Sequence, residues 1–421
     1  MSAVSPDITP ASIDAPSMRH ARRELLSLAL MDARNHTLHL LAHFEQATRE
    51  GKLAVPPGDE LELPLWLAGH TGWLAEYWIG RNPQRGLGPA CPVDGVRLAS
   101  IEPMADRWFN PALVPHAVRW QIDLPDFDAV RAYLLATLES TLELLEKTEE
   151  TDAALYFHRV ALFHEDLRCE QLVTLAQTLG LPLKLALPVG MQGRDPLLVP
   201  AGRWLLGSRP GGFVFDVEQG AHEVEVPEFE IDAQPVNWGQ FVEFVDDGGY
   251  DQPEFWQPAG WQWLQREAHE EGRRGPRYVE QIGAASGAVM QIHFGKPARM
   301  AAHQSAMHLS WWEADAWSRW AGRRLPTEVE WEMAAHVAAR RGFRWGDVRE
   351  WTASTLRPWP GFTPDAWSRH TDLESQKVFG RARVQRGASF AARSRMKHPK
   401  YRGFALPERD DAFVGFRTCS L

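Results

Sequence analysis

The sequence predicts an α+β protein in two parts: a helical N-terminal half, and a second half rich in Trp and Gly with little regular secondary structure. Two observations carry this expectation. From Arg19 to about Val189 apolar residues recur at helical spacing. After Val189, short apolar stretches such as Arg203–Gly207 and Glu223–Val226 are separated by Gly, Pro and Asp clusters. The boundary falls near residues 186–200. This gives a Pro/Ser/Ala-rich segment over 1–17 that is expected to be disordered, a bundle over 18–190 and a second domain over 191–421. At 421 residues the chain has room for two or three domains.

Each helix has its own signal. Leu25, Leu28, Leu38, Leu41 and Phe44 mark the first, and Pro64 opens a second that runs to about Arg81. Leu134, Leu135, Leu138, Leu142 and Leu145 mark a third over Asp126–Lys147. The fourth runs from Asp152 to Leu179 and stops at Gly180-Leu181-Pro182. Four helices with one long connection, Asn82–Pro125, read as a four-helix bundle. In the second half, helices are expected at Asn237–Val245 and Ser310–Ala321, the latter opened by a capping box of Ser310 and Glu313. The mixed charge run Arg266–Arg277 reads as a solvated loop.

Composition narrows the function. The net charge is −10, with 55 acidic against 45 basic side chains, which argues against a nucleic-acid partner. No run reaches the roughly 18 apolar residues of a membrane span, and Met1–Ser17 lacks the layout of a signal peptide. A cytoplasmic protein is expected. Three cysteines (Cys91, Cys169 and Cys419), with no CxxC pair, exclude a disulfide framework and a zinc ribbon. Nineteen Trp and sixteen His leave room for aromatic clusters and for a metal or acid–base site.

Three patches carry chemistry: Trp66–Trp73, which contains Gly69-His70-Thr71; His164-Glu165-Asp166-Leu167-Arg168-Cys169-Glu170; and a series in the second half comprising Met307–Ala314, Trp320–Trp331, Gly346–Ser354 and Gly415–Arg417. The series resembles the sulfatase-modifying-factor, or formylglycine-generating-enzyme-like, domain, which has a lectin-like irregular fold. Preceded by a DinB-like bundle with Gly-His-Thr, the chain over about residues 20–421 resembles the ergothioneine sulfoxide synthase family. His164-Glu165-Asp166, Trp359–Phe362, Arg395–Pro399 and Arg409–Asp411 through Cys419 are similar to selenoneine synthases, the relatives that join selenium to hercynine.

The resemblance implies oxidative bond formation at the imidazole C2 of hercynine, using O₂ and a non-heme Fe(2+) held by three histidines. Such chemistry needs oxidising power that no side chain supplies. Carried over, His70 and His164 match two ligands and Glu170 the trailing Glu, and the remaining histidine is replaced by Arg168. Position i+4 shares a helix face with His164, and an arginine that stays protonated is a poor ligand. Three explanations compete: two His with water or a carboxylate such as Glu170, which lies about 120° around the helix; a ligand from the His36, His39 and His43 stripe; or a weakened or lost metal. His164 and Arg168 are the candidate catalytic residues.

The family's Arg-Asn-Trp-Asp-x-x-x-Arg stretch, implied to hold hercynine and γ-glutamylcysteine, stands here as Arg402-Gly403-Phe404-Ala405-Leu406-Pro407-Glu408-Arg409. Ala405 removes the charge partner of an α-amino group, so a neutral selenosugar is the expected donor, with a thiol donor as the alternative. Arg402, Phe404, Arg409 and Trp367 are the candidate substrate-binding residues, the aromatic rings cradling a trimethylammonium group. No Tyr lies between Trp351 and Lys400, so His370 or water is left to deliver a proton. His308 reads as a buried hydrogen-bonding residue, Arg323, Arg324, Glu328 and Glu330 as an ion network, and Asp347 and Glu350 as a weak Ca²⁺ candidate. One further class stays open, a non-catalytic relative with a decayed metal site; formylglycine-type oxidation needs a reactive Cys pair and is set aside because the second half has only Cys419.

Overall fold

A computed structural model describes residues 9–190, 192–270, 272–283 and 289–421. The N-terminal half contains α1 (Pro10–Ile13), α2 (Arg23–Arg49), α3 (Pro64–Ala75), α4 (Ala105–Phe109), α5 (Phe127–Glu146) and α6 (Asp152–Thr178). The second half contains β1 (Leu197–Val199), β2 (Gly202–Leu206), β3 (His222–Val226), β4 (Phe229–Ile231), α7 (Trp238–Asp246), α8 (Pro258–Glu270), β5 (Val279–Gln281), β6 (Val289–His293), β7 (Lys296–Met300), α9 (Trp311–Trp320), α10 (Glu328–Val337), β8 (Arg349–Thr355), β9 (Arg383–Gly387), β10 (Arg402–Ala405) and β11 (Val414–Phe416). The first half is helical, and the strands fall in the second half together with four helices, an α+β arrangement among the described residues. Among the described residues no helix is long and apolar enough to cross a membrane.

In the first half α2 packs on α5 and α6, and α3 packs on the same two helices. Local chemistry explains the ends. Asp126 caps α5 by accepting from Ala129 N at 2.8 Å, and Thr151 caps α6 by accepting from Ala154 N. At the far end of α6, Gly180 takes φ +64° and Leu181 N bonds back to the Ala176 carbonyl, the left-handed stop that glycine makes cheap.

α6 is buried nearly all round because the second half covers the side turned away from the bundle. Consecutive residues divide the labour. Glu165 receives Arg34 of α2 at 2.8 and 3.1 Å, while Asp166 receives Arg395 of the second half at 2.6 and 2.8 Å. The second half is organised by a four-stranded sheet in the order β10-β9-β8-β11, antiparallel except for the β8–β11 pair. Its core mixes fully buried Trp238, Trp331 and Trp351 with fully buried Arg386, Arg395 and Arg417. Edge strand β10 turns towards α6, and the site forms between them.

Several expectations need correction. Of the segment expected to be disordered over 1–17, residues 1–8 lie outside the described residues. The rest holds α1 and a turn at Pro16–His20, with Asp14 and the Ile13 carbonyl bonded to Arg395. The run Arg266–Arg277 is not a solvated loop. Residues 266–270 continue α8, and Arg273 and Arg277 reach the buried Asp410 at 2.8 and 2.7 Å, so these two arginines serve internal pairing. The proposed four-residue ion network splits: Arg324 pairs with Glu330, Arg323 with Asp232, and Glu328 with Arg402. Capping boxes form as read at Ser310/Glu313 and also at Thr327/Glu330 and Asn237/Gln240.

Candidate active site

His70 on α3 and His164 on α6 meet in the bundle interior, their rings edge to face with centroids 5.2 Å apart. Both are buried. His70 is stacked between Trp66 and Trp73, at 4.6 and 5.5 Å. Its Nδ1 lies 2.9 Å from the Phe109 carbonyl. A carbonyl only accepts, so Nδ1 carries the proton and Nε2 presents a bare lone pair, which has no partner among the described residues. Gly69 permits this arrangement, because a Cβ there would sit 2.1 Å from the Phe109 ring.

His164 is oriented differently. Arg168, one turn on, donates from Nε to His164 Nε2 at 3.1 Å. A guanidinium only donates, so the proton of neutral His164 rests on Nδ1, which has no partner among the described residues. Burial, followed by the charge of Arg168, pushes the His70 pKa down to about 3 and that of His164 well below its usual value. Both rings are therefore neutral at neutral pH. Arg168 Nη1 donates to both oxygens of Asp372, at 2.8 and 3.0 Å, and to Gln171 Oε1 at 2.7 Å. Asp372 is more than half open to solvent; the desolvation its neighbours impose is outweighed by the Arg168 guanidinium, which holds the carboxyl below its usual pKa.

Beside this centre, a cavity of about 400 Å³ opens between α6 and β10. Arg168, Glu170, Tyr401, Phe404, Ala405 and Arg409 are among the residues around it. A smaller chamber of about 130 Å³ adjoins it and shares Leu167, Asp372, Tyr401 and Phe404, with Trp367 and Phe215 on its far side. Trp367 stands 6.1 Å from the His164 ring and is tied by Nε1 to the Tyr156 hydroxyl at 3.2 Å. Tyr156 donates in turn to Asp365 at 3.0 Å.

Among the candidate residues from the sequence, His70, His164 and Arg168 come together, while Phe404, Trp367 and Arg409 line the adjoining space. Glu170 does not join the histidines: Arg349 grips it through two nitrogens, one at 3.0 Å, and Ser389 donates to it at 2.7 Å. Burial of Glu170 is outweighed by Arg349, which keeps its carboxyl below the usual range. Arg402 lines the small chamber, but its guanidinium is buried against Glu328 at 2.7 and 3.0 Å. The His36, His39 and His43 stripe lines a separate cavity with Lys184 and Arg393. His308 is buried with Nδ1 on the Asp411 carbonyl, as read. Glu350 is bound by Arg417 and Trp331, which removes it as a Ca²⁺ ligand.

The sequence reading missed Asp372, Gln171 and Tyr401. Asp372 lies in irregular backbone, where no periodicity marks it.

The three protein ligands expected for iron are therefore not assembled. Two imidazoles are in place, one with its Nε2 free and one with its Nε2 engaged by Arg168. Among the described residues no group of three His, Cys, Asp or Glu side chains is placed to hold a metal. The arrangement does not fit a metal held by three side chains.

The Trp-rich second half is also the part of the chain that a known domain family matches. Residues 188–347 and 344–420 match the sulfatase-modifying factor enzyme 1-like domain. The chain is 32% identical over 455 residues to hercynine oxygenase of Mycolicibacterium smegmatis, covering 94% of this chain and 98% of that protein. It is 32% identical to hercynine oxygenase of Mycobacterium tuberculosis, covering 85% and 91%. It is 31% identical to formylglycine-generating enzyme of Streptomyces coelicolor, covering 37% and 51%. The chain belongs to the hercynine oxygenase family.

Proposed function

We propose that this protein oxidatively joins a chalcogen donor to the imidazole C2 of hercynine with O₂, and that the donor is a selenosugar rather than a thiol with a free α-amino group. One observation carries the donor choice. Every carboxylate lining the main cavity already has an arginine: Glu60 has Arg277 at 3.0 Å, Glu62 has Arg119, Glu170 has Arg349, Asp372 has Arg168 at 2.8 Å, and Asp411 has Arg409 at 2.8 Å. Ala405 presents a methyl on the same wall. An incoming ammonium would have to break an existing pair, which leaves a guanidinium uncompensated; a neutral sugar would not.

Hercynine is also cationic at its trimethylammonium, but that group is large, weakly hydrated and attracted to ring faces. Phe404 in the main cavity, with Trp367 and Phe215 in the adjoining chamber, offers such faces, and Trp367 stands 6.1 Å from the His164 ring. Iron has two imidazoles and no third side-chain donor in this arrangement, so the reading of the site stands on substrate binding.

The test is product formation. Protein incubated anaerobically with Fe(II) and hercynine is split between a selenosugar and γ-glutamylcysteine, then exposed to air and analysed by mass spectrometry. A selenium adduct, with little or no sulfur adduct, is expected. A sulfur adduct alone would overturn the donor assignment, and no adduct in either vessel would favour a non-catalytic relative.

A further inference from the structure

The two adjoining chambers treat charge differently. In the main cavity every carboxylate is paired with an arginine. In the small chamber Asp372 has Arg168, and the Arg402 guanidinium is held by Glu328. That leaves Asp216, with which no Arg, Lys or His side chain pairs among the described residues. Its two oxygens accept backbone N–H groups instead, Val217 at 2.6 Å and Asp365 at 3.1 Å. Asp365 in turn accepts from the Asp216 N–H at 3.1 Å and from the Tyr156 hydroxyl at 3.0 Å. Two carboxyls buried together do not both ionise. Burial, then the charge of Asp216, pushes Asp365 well above its ordinary value, while burial brings Asp216 to about 6. At neutral pH the pair therefore carries one negative charge, on Asp216.

The same residues fix the aromatic side of the chamber. Trp367 Nε1 donates to the Tyr156 hydroxyl at 3.2 Å, so Tyr156 joins the indole to Asp365. The Trp367 and Phe215 rings stand 6.3 Å apart, inclined at 56°, and both line the chamber of about 130 Å³. A carboxylate whose oxygens already accept N–H groups has little to offer a primary ammonium, which needs hydrogen bonds. It still supplies negative potential. A quaternary ammonium has no N–H and needs only that potential and ring faces. We propose that Asp216 is the counter-charge of a quaternary-ammonium subsite in the small chamber, with Trp367 and Phe215 as its rings and Tyr156 and Asp365 as positioning residues. The proposal rests on the reading of hercynine as substrate, whose trimethylammonium this subsite takes, and it leaves the main cavity to the donor.

The experiment is calorimetric binding to the full-length protein under the anaerobic conditions of the product assay. The probes are hercynine, choline and 3,3-dimethylbutan-1-ol, the alcohol in which carbon replaces the choline nitrogen and the charge is lost. The wild type is expected to bind hercynine, and to bind choline at least about tenfold tighter than the alcohol. Asp216→Asn keeps the shape and should weaken choline and hercynine about tenfold while leaving the alcohol unchanged. Tyr156→Phe, which releases Trp367, should weaken choline about threefold. Choline has no titrating group, so its affinity for the wild type should fall as pH drops through about 6, where Asp216 takes up a proton. The other charged or titratable groups around Asp216 are Asp365, Tyr156, Glu218 and Arg402, and the last two are held by Arg19 and Glu328. Circular dichroism melts establish that each variant is folded, and if Asp216→Asn fails to fold the wild-type pH profile decides. Equal affinity for choline and the alcohol, a pH-independent choline affinity, or unchanged choline binding by Asp216→Asn would overturn the proposal. Hercynine binding that Asp216→Asn leaves unchanged removes this inference and keeps the functional reading; no hercynine binding by the wild type removes both.

Discussion

The two walls of the cavity differ in how completely their polar groups are satisfied. On the β10 side every charge has a partner: Arg349 with Glu170, Arg402 with Glu328, Arg409 with Asp411. On the bundle side His70 Nε2, His164 Nδ1 and Arg168 Nη2 are buried without a partner among the described residues. Most buried polar groups are hydrogen-bonded. The three atoms lie together behind the cavity, where Arg168 reaches its lining.

The sharpest way to break this contrast is to unpair the satisfied wall. Arg349→Ala leaves the Glu170 carboxylate buried with only Ser389, and is expected to cost about 3–5 kcal/mol of stability in chemical denaturation. A loss below about 1 kcal/mol would mean that the pairing is dispensable. Gly69→Ala comes next. Its methyl would press on the Phe109 ring, whose backbone carbonyl sets the His70 tautomer, so a loss of about 1–3 kcal/mol is expected together with loss of product formation. On the unpaired wall, His164→Gln should cost no more than about 1 kcal/mol while abolishing product. A large destabilisation without loss of product would erase the contrast between the two walls.

The smallest effect is a pH slope. Asp216 and Asp365 each accept from the other's backbone N–H at 3.1 Å, and burial pushes the Asp216 carboxyl up to about 6 from its ordinary 3.8. A raised folded-state value means that the native protein holds a proton the unfolded chain releases. The contribution is whole below 3.8 and is lost as pH rises through about 6. Asp216→Asn should therefore flatten the fall in stability with pH across that window, by on the order of 1 kcal/mol.

Much of this was legible in the sequence. Leucine spacing gave the long helices, and Pro64 and Gly180 marked two of their ends, because period and capping are local properties. His70 and His164 were legible through the match of Gly69-His70-Thr71 and of His164 to the family's motifs, and the intrusion of Arg168 because i and i+4 share a helix face. The fate of Glu170 and Arg402 was not. Each pairs with a residue more than 70 positions away, Arg349 and Glu328, and no local pattern announces such a partner. Asp372 was invisible for the same reason. Helices α8 and α10 were missed because short helices in a Trp-rich, loop-dominated domain take their stability from tertiary packing rather than propensity.

The central claim is that the cavity accepts a donor without an α-ammonium because its carboxylates are already taken. The most direct measurement is competitive equilibrium binding, with hercynine present and oxygen absent, of a selenosugar and γ-glutamylcysteine to the wild type and to Ala405→Asp. The account predicts that the wild type binds the selenosugar at least about tenfold tighter, roughly the value of one charge-assisted pair, and that Ala405→Asp narrows or reverses the gap. Tighter binding of γ-glutamylcysteine by the wild type would contradict it.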